Sequence, residues 1–563
     1  MSRNKLALLV ALFLLLVFVA QGILFIGANS QTIDEAMHLA AGYSYLVKKD
    51  FRIEPQNPPL IKELLALPPF LTYRLAFNPD PQHWRDADGY LIGRDLLYNS
   101  PPSADQILAL SRFPNLLLGA ALVALTGWWA YRLWGNHAAI LAVALASLEP
   151  NLVAHSSLIT TDVGVTLFIF LTVYLFWEYV NRPTWTLLIA TGISTGMALL
   201  SKFSAVLLIP MIALIVTAFV LIGSERHVLL PLKRTHNEAR HKFLQAATVL
   251  SLILFVALLT ISPAYFFRGF RLWLSGFYQF LTLSQEGLPA FFLGEYSSDN
   301  WWSYFPVAFL IKTPVGSLVL IALSLVFYRA GSPLGYRQAF FLVLPVILIF
   351  LALTQARTNI GLRHILPIYP FLFVLASRLA TIRLRRAWLA PLLISTAVFV
   401  TALSSLRIVP HQLAYFNEFV GGPEQGYRYL SDSNLDWGQD LKGLKAYMEK
   451  EKLPIIYLSY FGTAPPYYYG IRYYYVAGHG TLEWPPPSNK VPADAARKIL
   501  AISVYNLQDV SRSNDPLFRW LWVRQPVAKI GYSIFIYDLT DDREGLRKLE
   551  ETYAKAGTTW MPR

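Results

Sequence analysis

The sequence predicts a polytopic α-helical membrane protein with a C-terminal α/β domain on its outer side. Three observations carry this. Hydrophobic residues make up 55% of the 563-residue chain and charged residues only 15%, against roughly 25% charged in a soluble globular protein. Mean hydropathy is +0.41. Apolar runs of about 20 residues, the length that crosses a bilayer as a helix, recur through roughly the first 400 positions. The chain has no cysteine, which excludes a disulfide framework, a thiolate nucleophile and a Cys-ligated metal site. The net charge of +13 would suggest nucleic acid in a soluble protein. Here the basic residues fall in short loops between apolar runs, so the charge reports topology and no nucleic-acid partner is expected.

Spans are expected near 6–26, 113–133, 138–158, 161–180, 184–201, 203–223, 244–266, 309–328, 339–355, 363–380 and 387–408, about eleven in all. The polar stretch from Glu149-Pro150-Asn151 to Asp162 weakens the third and fourth. The first run follows Arg3 and Lys5 and has no clear small-residue cleavage site, so it is expected to stay as an anchor. With the N-terminus inside, the inner loops hold Arg132, Arg182, then Arg226, Lys233, Arg234, Arg240 and Lys242, then Arg329 and Arg337, then Arg383, Arg385 and Arg386. This is a positive-inside pattern. It places the long loop 27–112, the segment 267–308 and the tail on the outer side of a multi-pass cell (inner) membrane protein. Residues 1–409 are read as the transmembrane domain and 410–563 as the extracytoplasmic domain. In the tail, Leu435–Glu451 reads as an amphipathic helix, with Leu441, Leu444 and Tyr447 at helical spacing. Ile455–Phe461, Ile499–Val504 and Ile530–Tyr537 read as strands, and Leu546–Lys555 as a terminal helix.

The candidate chemistry lies at the outer ends of spans. A loop of more than 80 residues just after the first span is costly to order without a function. It begins with Ser30-Gln31-Thr32-Ile33-Asp34-Glu35. Thr32 and Glu35 fit a capping box, which gives Glu35 a structural reading at even odds with a catalytic one. Adjacent helical residues diverge by about 100°, so Asp34 and Glu35 cannot both face one ligand. Asp34 and His38 are four apart and share a face, as a base and its orienting partner would. Next, Glu54-Pro55-Gln56-Asn57-Pro58-Pro59 leads into a helix expected to start at Pro59 and lie in the interface. Lys62 on it either snorkels to the headgroups or binds a lipid phosphate. Asp162, Lys202, Lys312, Arg363 and His364 sit near the outer ends of later spans, where charges are costly and face a cavity or a polar partner. Arg363-His364 at a helix start would make an anion site.

These pieces together resemble the membrane-embedded GT-C glycosyltransferases. The bacterial branch similar to dolichyl-phosphate-mannose protein mannosyltransferases and to the lipid A aminoarabinose transferases resembles the chain most. The matching pieces, in the family's order, are Asp34-Glu35 with His38, Asn57-Pro58-Pro59-Leu60 with Lys62, Thr161-Asp162, Ser201-Lys202-Phe203, Lys312-Thr313-Pro314 and Arg363-His364-Ile365-Leu366-Pro367. Ser433-Asn434-Leu435-Asp436-Trp437-Gly438-Gln439-Asp440 looks like a signature of one bacterial subgroup. The resemblance covers roughly residues 1–450. It implies a GT-C fold and a sugar carried on a polyprenyl phosphate in the bilayer. That sugar would be transferred with inversion, on the outer face, to a hydroxyl of a protein, lipid or glycan. It assigns the base to Asp34 with Glu35 beside it, a second acid to Asp162, and the carrier phosphate to Lys62, Lys202 and Arg363. Asn57 stands where many members have His before Pro-Pro, which weakens an acceptor role there. No cofactor is required by this chemistry, although some relatives use a divalent cation.

An inverting transfer needs a base on one face of the sugar and the leaving phosphate on the other. Cations in a low-dielectric site stabilise the phosphate as its charge develops. Two other classes stay open at this point. A lipid or sugar transporter or flippase predicts paired repeats and ionisable residues at mid-span. A receptor or assembly scaffold leaves Asp34, Lys62 and Arg363 replaceable. The tyrosines of Pro465–Tyr469 and Tyr473–Tyr475 read either as sugar-stacking platforms or, favoured two to one, as strand residues half-buried in a sheet. Asp436 reads as a helix cap or as a residue of acceptor choice.

Overall fold

The computed structural model describes residues 3–99, 101–222, 239–268, 270–328, 335–383, 386–478 and 497–555. Of the expected inner-loop cations, Arg226, Lys233, Arg234, Arg329 and Arg385 lie outside the described residues. Helix α1 (Arg3–Ala28) comes first. The long loop then folds into α2 (Ile33–Lys48), α3 (Pro59–Thr72), α4 (Pro81–Asp86) and α5 (Gly89–Tyr98). An apolar bundle follows, with α6 (Ala104–Trp134), α7 (Asn136–Ser147), α8 (Pro150–Ser156), α9 (Asp162–Asn181), α10 (Trp185–Ser201), α11 (Leu208–Ile222) and α12 (Ala239–Ala264). A second excursion holds α13 (Phe270–Glu286) and the hairpin β1 (Ala290–Phe292) and β2 (Glu295–Ser297). Helices α14 (Tyr304–Lys312), α15 (Val315–Val326), α16 (Tyr336–Leu353), α17 (Ile368–Ser377) and α18 (Leu389–Arg407) complete the bundle.

Five of these helices are long and apolar enough to cross a membrane by themselves: Asn4–Ala28, Ala104–Trp134, Asp162–Asn181, Phe243–Ala264 and Leu389–Arg407. Two more spans arise if each bent pair counts as one, α7 with α8 (64°) and α14 with α15 (114°). Four shorter apolar helices cover other stretches in which spans were expected. The bends have local causes. Glu149 and Thr313 precede Pro150 and Pro314 and are both extended, as a residue before proline must be. Position in the bundle follows composition. The apolar window of α9 is 83% buried inside the protein, against 28% for those of α1, α12 and α18. Helix α9 is therefore central, and the other three keep apolar flanks for lipid.

The tail builds a five-stranded sheet from β3 (Ile456–Ser459), β4 (Tyr473–Tyr475), β5 (Ile499–Ser503), β6 (Ala528–Ile530) and β7 (Ile534–Asp538), ordered β4-β3-β5-β7-β6. β4, β3 and β5 run parallel, whereas β5, β7 and β6 are antiparallel. The single strand expected over Ile530–Tyr537 is two strands. Gly531 (φ +55°) and Tyr532 (φ +66°) are both left-handed and turn the chain back on itself. Helix α19 spans Leu441–Lys450 and buries Leu441 and Leu444; it starts six residues later than the periodicity predicts. The terminal helix runs over Arg543–Lys555. The tyrosine runs divide: Tyr473 is buried, whereas Tyr467 in the 3-10 turn Pro466–Tyr469 is exposed. Tyr473–Tyr475 form the edge strand β4, and the Tyr468 hydroxyl accepts from the Ala104 N–H that opens α6 (2.9 Å).

Candidate active site

Four charged residues converge at one end of the bundle because each sits where an apolar helix begins or ends. Asp162 is the first residue of α9, and Lys202 directly follows the last residue of α10. The two helices are packed neighbours joined by a short turn, so the start of one lies beside the end of the other. Lys202 Nζ donates to Asp162 Oδ1 at 2.6 Å. Asp34 lies in the first turn of α2, four residues beyond the Ser30 that follows α1. Arg363 sits in the 3-10 turn Leu362–Ile365 that leads into α17. Its Nη1 donates to Asp34 Oδ2 at 3.1 Å and lies 4.0 Å from Asp162 Oδ2. Asp34, Arg363, Asp162 and Lys202 thus form one alternating chain of charge. Asp34 is the more open acid, its side chain 17% exposed against 2% for Asp162. Arg363 Nε and His364 Nε2 are buried beside this chain with no hydrogen-bond partner among the described residues, as is His155 Nδ1. Buried polar atoms are rarely left unpaired, so these aim at atoms that a ligand or water would supply.

The long loop holds Asp34 by close packing. A Cβ on Gly42 would sit 2.2 Å from the Lys62 carbonyl oxygen, and one on Gly93 the same distance from that of Ala36. Only glycine lets α3 and α5 approach α2 this closely.

Several residues of the same chemical types are placed elsewhere. Glu35 turns away from Asp34, as the 100° helical step requires, and is fully buried. Its Oε2 accepts from the Thr32 N–H (2.8 Å) and from Arg112 Nη2 (2.7 Å), and its Oε1 from Arg112 Nε (2.8 Å) and the Ile159 N–H (2.9 Å). Burial raises its carboxyl, but the Arg112 guanidinium and the hydrogen bonds outweigh that and hold it low. All its accepting capacity is engaged, so Glu35 is an anchor tying α2 to α6, not a group with a free catalytic lone pair. His38 shares a helix face with Asp34 but pairs with Glu54, Nδ1 to Oε2 at 2.7 Å. Asn57 Nδ2 donates to Glu54 Oε1 at 2.6 Å. Lys62 is fully buried instead of reaching headgroups. Its Nζ donates to the Tyr45 hydroxyl (2.8 Å), the Asn57 carbonyl (2.8 Å) and the Glu54 carbonyl (2.9 Å), with Glu54 Oε2 at 3.4 Å. Three strong donors met by three acceptors leave nothing for a phosphate. Lys312 is likewise buried, donating to the carbonyls of Leu413 (3.0 Å), Tyr415 (2.9 Å) and Asn434 (2.5 Å). It fastens the end of α14 to the chain after α18. His364 stays at the site, its ring edge-on to Phe305.

Glu54 and Arg112 were not singled out from the sequence, although each is the hub of a buried network. Burial pushes the Glu54 carboxyl up, but His38, Lys62 and the hydrogen bonds from His38 and Asn57 hold it at about 2. A lowered carboxyl stabilises the fold above its ordinary value of 4.5 and loses that contribution as pH falls towards 2. Glu54→Gln is therefore expected to lower thermal stability at pH 7, with the gap to wild type narrowing as the pH drops below 4.5. A melting series from pH 7 to pH 3.5 checks this, and a gap independent of pH would contradict it. Beside this network a cavity of about 830 Å³ opens, lined by Lys48, Lys49, Arg52, Asn57, Tyr90 and Arg268 among others. Tyr90 lines it and is within electrostatic reach of both Asp34 and Glu54. Among the described residues, no group of three or more His, Asp or Glu side chains is placed to hold a metal ion.

A family model described as dolichyl-phosphate-mannose-protein mannosyltransferase matches residues 9–267, a stretch containing Asp34, Asp162 and Lys202. The match agrees with the resemblance read from the motifs. Among solved structures, ArnT from Cupriavidus metallidurans bound to undecaprenyl phosphate is 13% identical, with 95% of this chain and 98% of that chain covered and a TM-score of 0.49. The archaeal oligosaccharyltransferase AglB from Archaeoglobus fulgidus, in complex with an inhibitory peptide and a dolichol-phosphate, is 13% identical over 69% of this chain and 55% of that one (TM-score 0.41). The protein O-mannosyltransferase Pmt1-Pmt2 complex of S. cerevisiae, bound to the sugar donor, is 21% identical over 50% of this chain and 34% of that one (TM-score 0.32). No curated protein sequence matches the chain.

Proposed function

We propose that the chain is an inverting glycosyltransferase that moves a sugar from a polyprenyl-phosphate carrier to a hydroxyl acceptor at the outer face of the cell membrane. The observation that supports this most is the chain Asp34–Arg363–Asp162–Lys202, with its most open carboxylate at one end and two cations behind it. The family match over residues 9–267 agrees with the carrier class. In the proposed reaction, Asp34 accepts the acceptor's hydroxyl proton as the oxygen attacks the anomeric carbon. The bond from that carbon to the phosphate oxygen breaks, and the polyprenyl phosphate leaves with the electron pair. Arg363 donates a hydrogen bond to Asp34 and lies close enough to meet the phosphate as its charge develops. Lys202 fixes Asp162, whose second carboxylate oxygen lies 4.0 Å from the same Arg363 Nη1 that bonds Asp34. The cavity beside Tyr90, where Lys48, Lys49, Arg52 and Arg268 alternate with Asp50, Glu54, Asp86 and Asp88, offers space for the carrier's polar end, and the apolar flanks of the helices give its chain a lipid environment. The positive-inside pattern supports the outer placement of the loop and tail.

The test uses the full chain in lipid nanodiscs with a panel of labelled polyprenyl-phosphate sugars. The expected result is release of polyprenyl phosphate with at least one sugar, and a product whose anomeric configuration, read by NMR, is opposite to the donor's. Retained configuration would remove Asp34 as a base acting on the acceptor. No turnover with any sugar, together with no binding of undecaprenyl phosphate, would remove the transferase reading.

A further inference from the structure

One segment of the tail, residues 433–440, touches both chain elements that carry the site. On the Arg363 side, Ser433 Oγ donates to the Ile360 carbonyl (2.8 Å), and the Leu362 N–H donates to Asn434 Oδ1 (2.9 Å). On the Asp34 side, the Ile33 and Ser30 N–H groups donate to the Trp437 and Gln439 carbonyls (3.0 and 2.8 Å). The Trp437 ring lies under Arg363, with the guanidinium carbon 4.3 Å from the ring centre. Trp437 is itself fixed from several sides. It is buried, in an apolar cluster with Phe25 of α1, Ala154 of α8, Leu413 and Tyr505. Its N–H donates to Gln439 Oε1 (2.8 Å). The preceding Asp436 accepts from the Tyr505 N–H (3.0 Å) and the Gly438 N–H (3.3 Å), which fastens this turn to the helical turn Val504–Leu507 after β5. Gly438 is left-handed (φ +86°), and a Cβ there would lie 2.8 Å from the Tyr460 hydroxyl and 2.9 Å from the Phe461 carbonyl oxygen. The sheet of the tail thus sets where the indole stands.

We propose that Trp437 is a positioning residue of the transfer site, its indole holding the Arg363 guanidinium at the carrier phosphate. This rests on the transferase reading above and makes the tail, which contributes no member of the charge chain, a working part of the site. A cation over an aromatic face is held by the ring's quadrupole and not by an oxygen acceptor. An acid in the same place would neutralise the guanidinium, whereas an indole leaves its charge whole for a phosphate. Arg363 fits that use. Among the described residues its guanidinium makes one hydrogen bond, from Nη1 to Asp34, and its Nε is buried with no partner. A guanidinium carries five N–H donors in a rigid fork, so its orientation decides whether two of them meet one phosphate together.

The experiment measures equilibrium binding of undecaprenyl phosphate to the full chain in nanodiscs. The proteins compared are wild type, Trp437→Phe, Trp437→Leu, Arg363→Lys and the double variant Trp437→Leu with Arg363→Lys, with a melting temperature for each preparation. This lipid is the leaving group of the proposed reaction, so its affinity reports the contact between phosphate and cation. Trp437→Leu keeps an apolar side chain without a ring, and is expected to bind about tenfold more weakly, the size of a desolvated cation–π contact. Trp437→Phe keeps a ring face and is expected to stay within about threefold of wild type. Lysine carries its charge on a compact ammonium with rotating donors and has no fork to orient. In the Arg363→Lys background, Trp437→Leu is therefore expected to weaken binding by less than about threefold, a coupling that a residue serving only the core would not show. Equal losses from Trp437→Leu in the two backgrounds would overturn the proposal and leave the transferase reading intact. So would a Trp437→Phe protein that melts like wild type yet binds as weakly as Trp437→Leu. Absence of binding by wild type would overturn the proposal too, whereas the transferase reading falls only if turnover is absent as well.

Discussion

Asp34→Asn is expected to lower transfer by about 10²–10⁴-fold, the usual contribution of a positioned general base, while undecaprenyl phosphate still binds. Asparagine preserves the size of the side chain and an oxygen for the Arg363 hydrogen bond of 3.1 Å. It removes only the ability to take a proton. Loss of the negative charge also frees Arg363, so carrier affinity is expected to stay level or rise. The signature is therefore a fall in kcat without a rise in KM for the donor. Single-turnover transfer and equilibrium binding on the same preparation separate these quantities. Transfer within threefold of wild type would exclude Asp34 as the base. Parallel losses of transfer and carrier binding would recast it as a group that merely holds Arg363. Asp34→Ala removes the hydrogen bond as well, and is expected to match Asp34→Asn in the chemical step while loosening the Arg363 turn.

The parts of this site that were legible in the sequence are those fixed by one-dimensional patterning. Asp34, Asp162, Lys202 and Arg363 each border an apolar helix, and those borders meet at one end of the bundle. Strands β3 and β5 follow from short runs of β-branched and aromatic residues. What failed was the assignment of partners. Lys62, Lys312 and His38 look the same in sequence as Lys202 and Arg363, yet they are satisfied by acceptors whose location depends on backbone shape. Lys62 meets carbonyls of the Pro-rich turn at 54–57, and Lys312 meets carbonyls about 100 residues downstream. No periodicity announces a carbonyl that points inward. The same reason explains the late start of α19. Asp436 accepts from the Tyr505 N–H (3.0 Å), in the helical turn Val504–Leu507 that follows β5, and so does not cap a helix beginning at its own position. Prolines were read correctly as helix starts at Pro59, but the bends they impose between α7 and α8 and between α14 and α15 are three-dimensional facts that a hydropathy window averages away.

The neighbouring acid is expected to behave in the opposite way to Asp34. Glu35→Gln or Arg112→Met breaks a two-point ion pair whose members are both buried, with side-chain exposures of 0% and 1%. Removing one partner strands a charge in a low-dielectric interior, which costs about 3–5 kcal/mol. The loss is wider than the pair itself. Arg112 also donates to the carbonyls of Asn29 (3.0 Å) and Ser30 (2.8 Å), and Glu35 receives the Ile159 N–H, so three chain segments meet on these two side chains. Both single variants are expected to show a lower melting temperature and lower yield in detergent, with transfer lost only in proportion to the folded fraction. The double variant Glu35→Gln with Arg112→Met removes both charges together, and is expected to recover part of the stability lost by either single change, a coupling that a double-mutant cycle reads directly. A Glu35→Gln protein that melts like wild type but no longer transfers sugar would reverse the assignment and return Glu35 to the chemistry. Because Asp34 and Glu35 are adjacent, the pair of experiments compares two carboxylates in one helical turn that differ in which way they point. One faces the opening with a single hydrogen bond and the other faces the core with its oxygens fully occupied, and that difference alone predicts which substitution loses catalysis and which loses the fold.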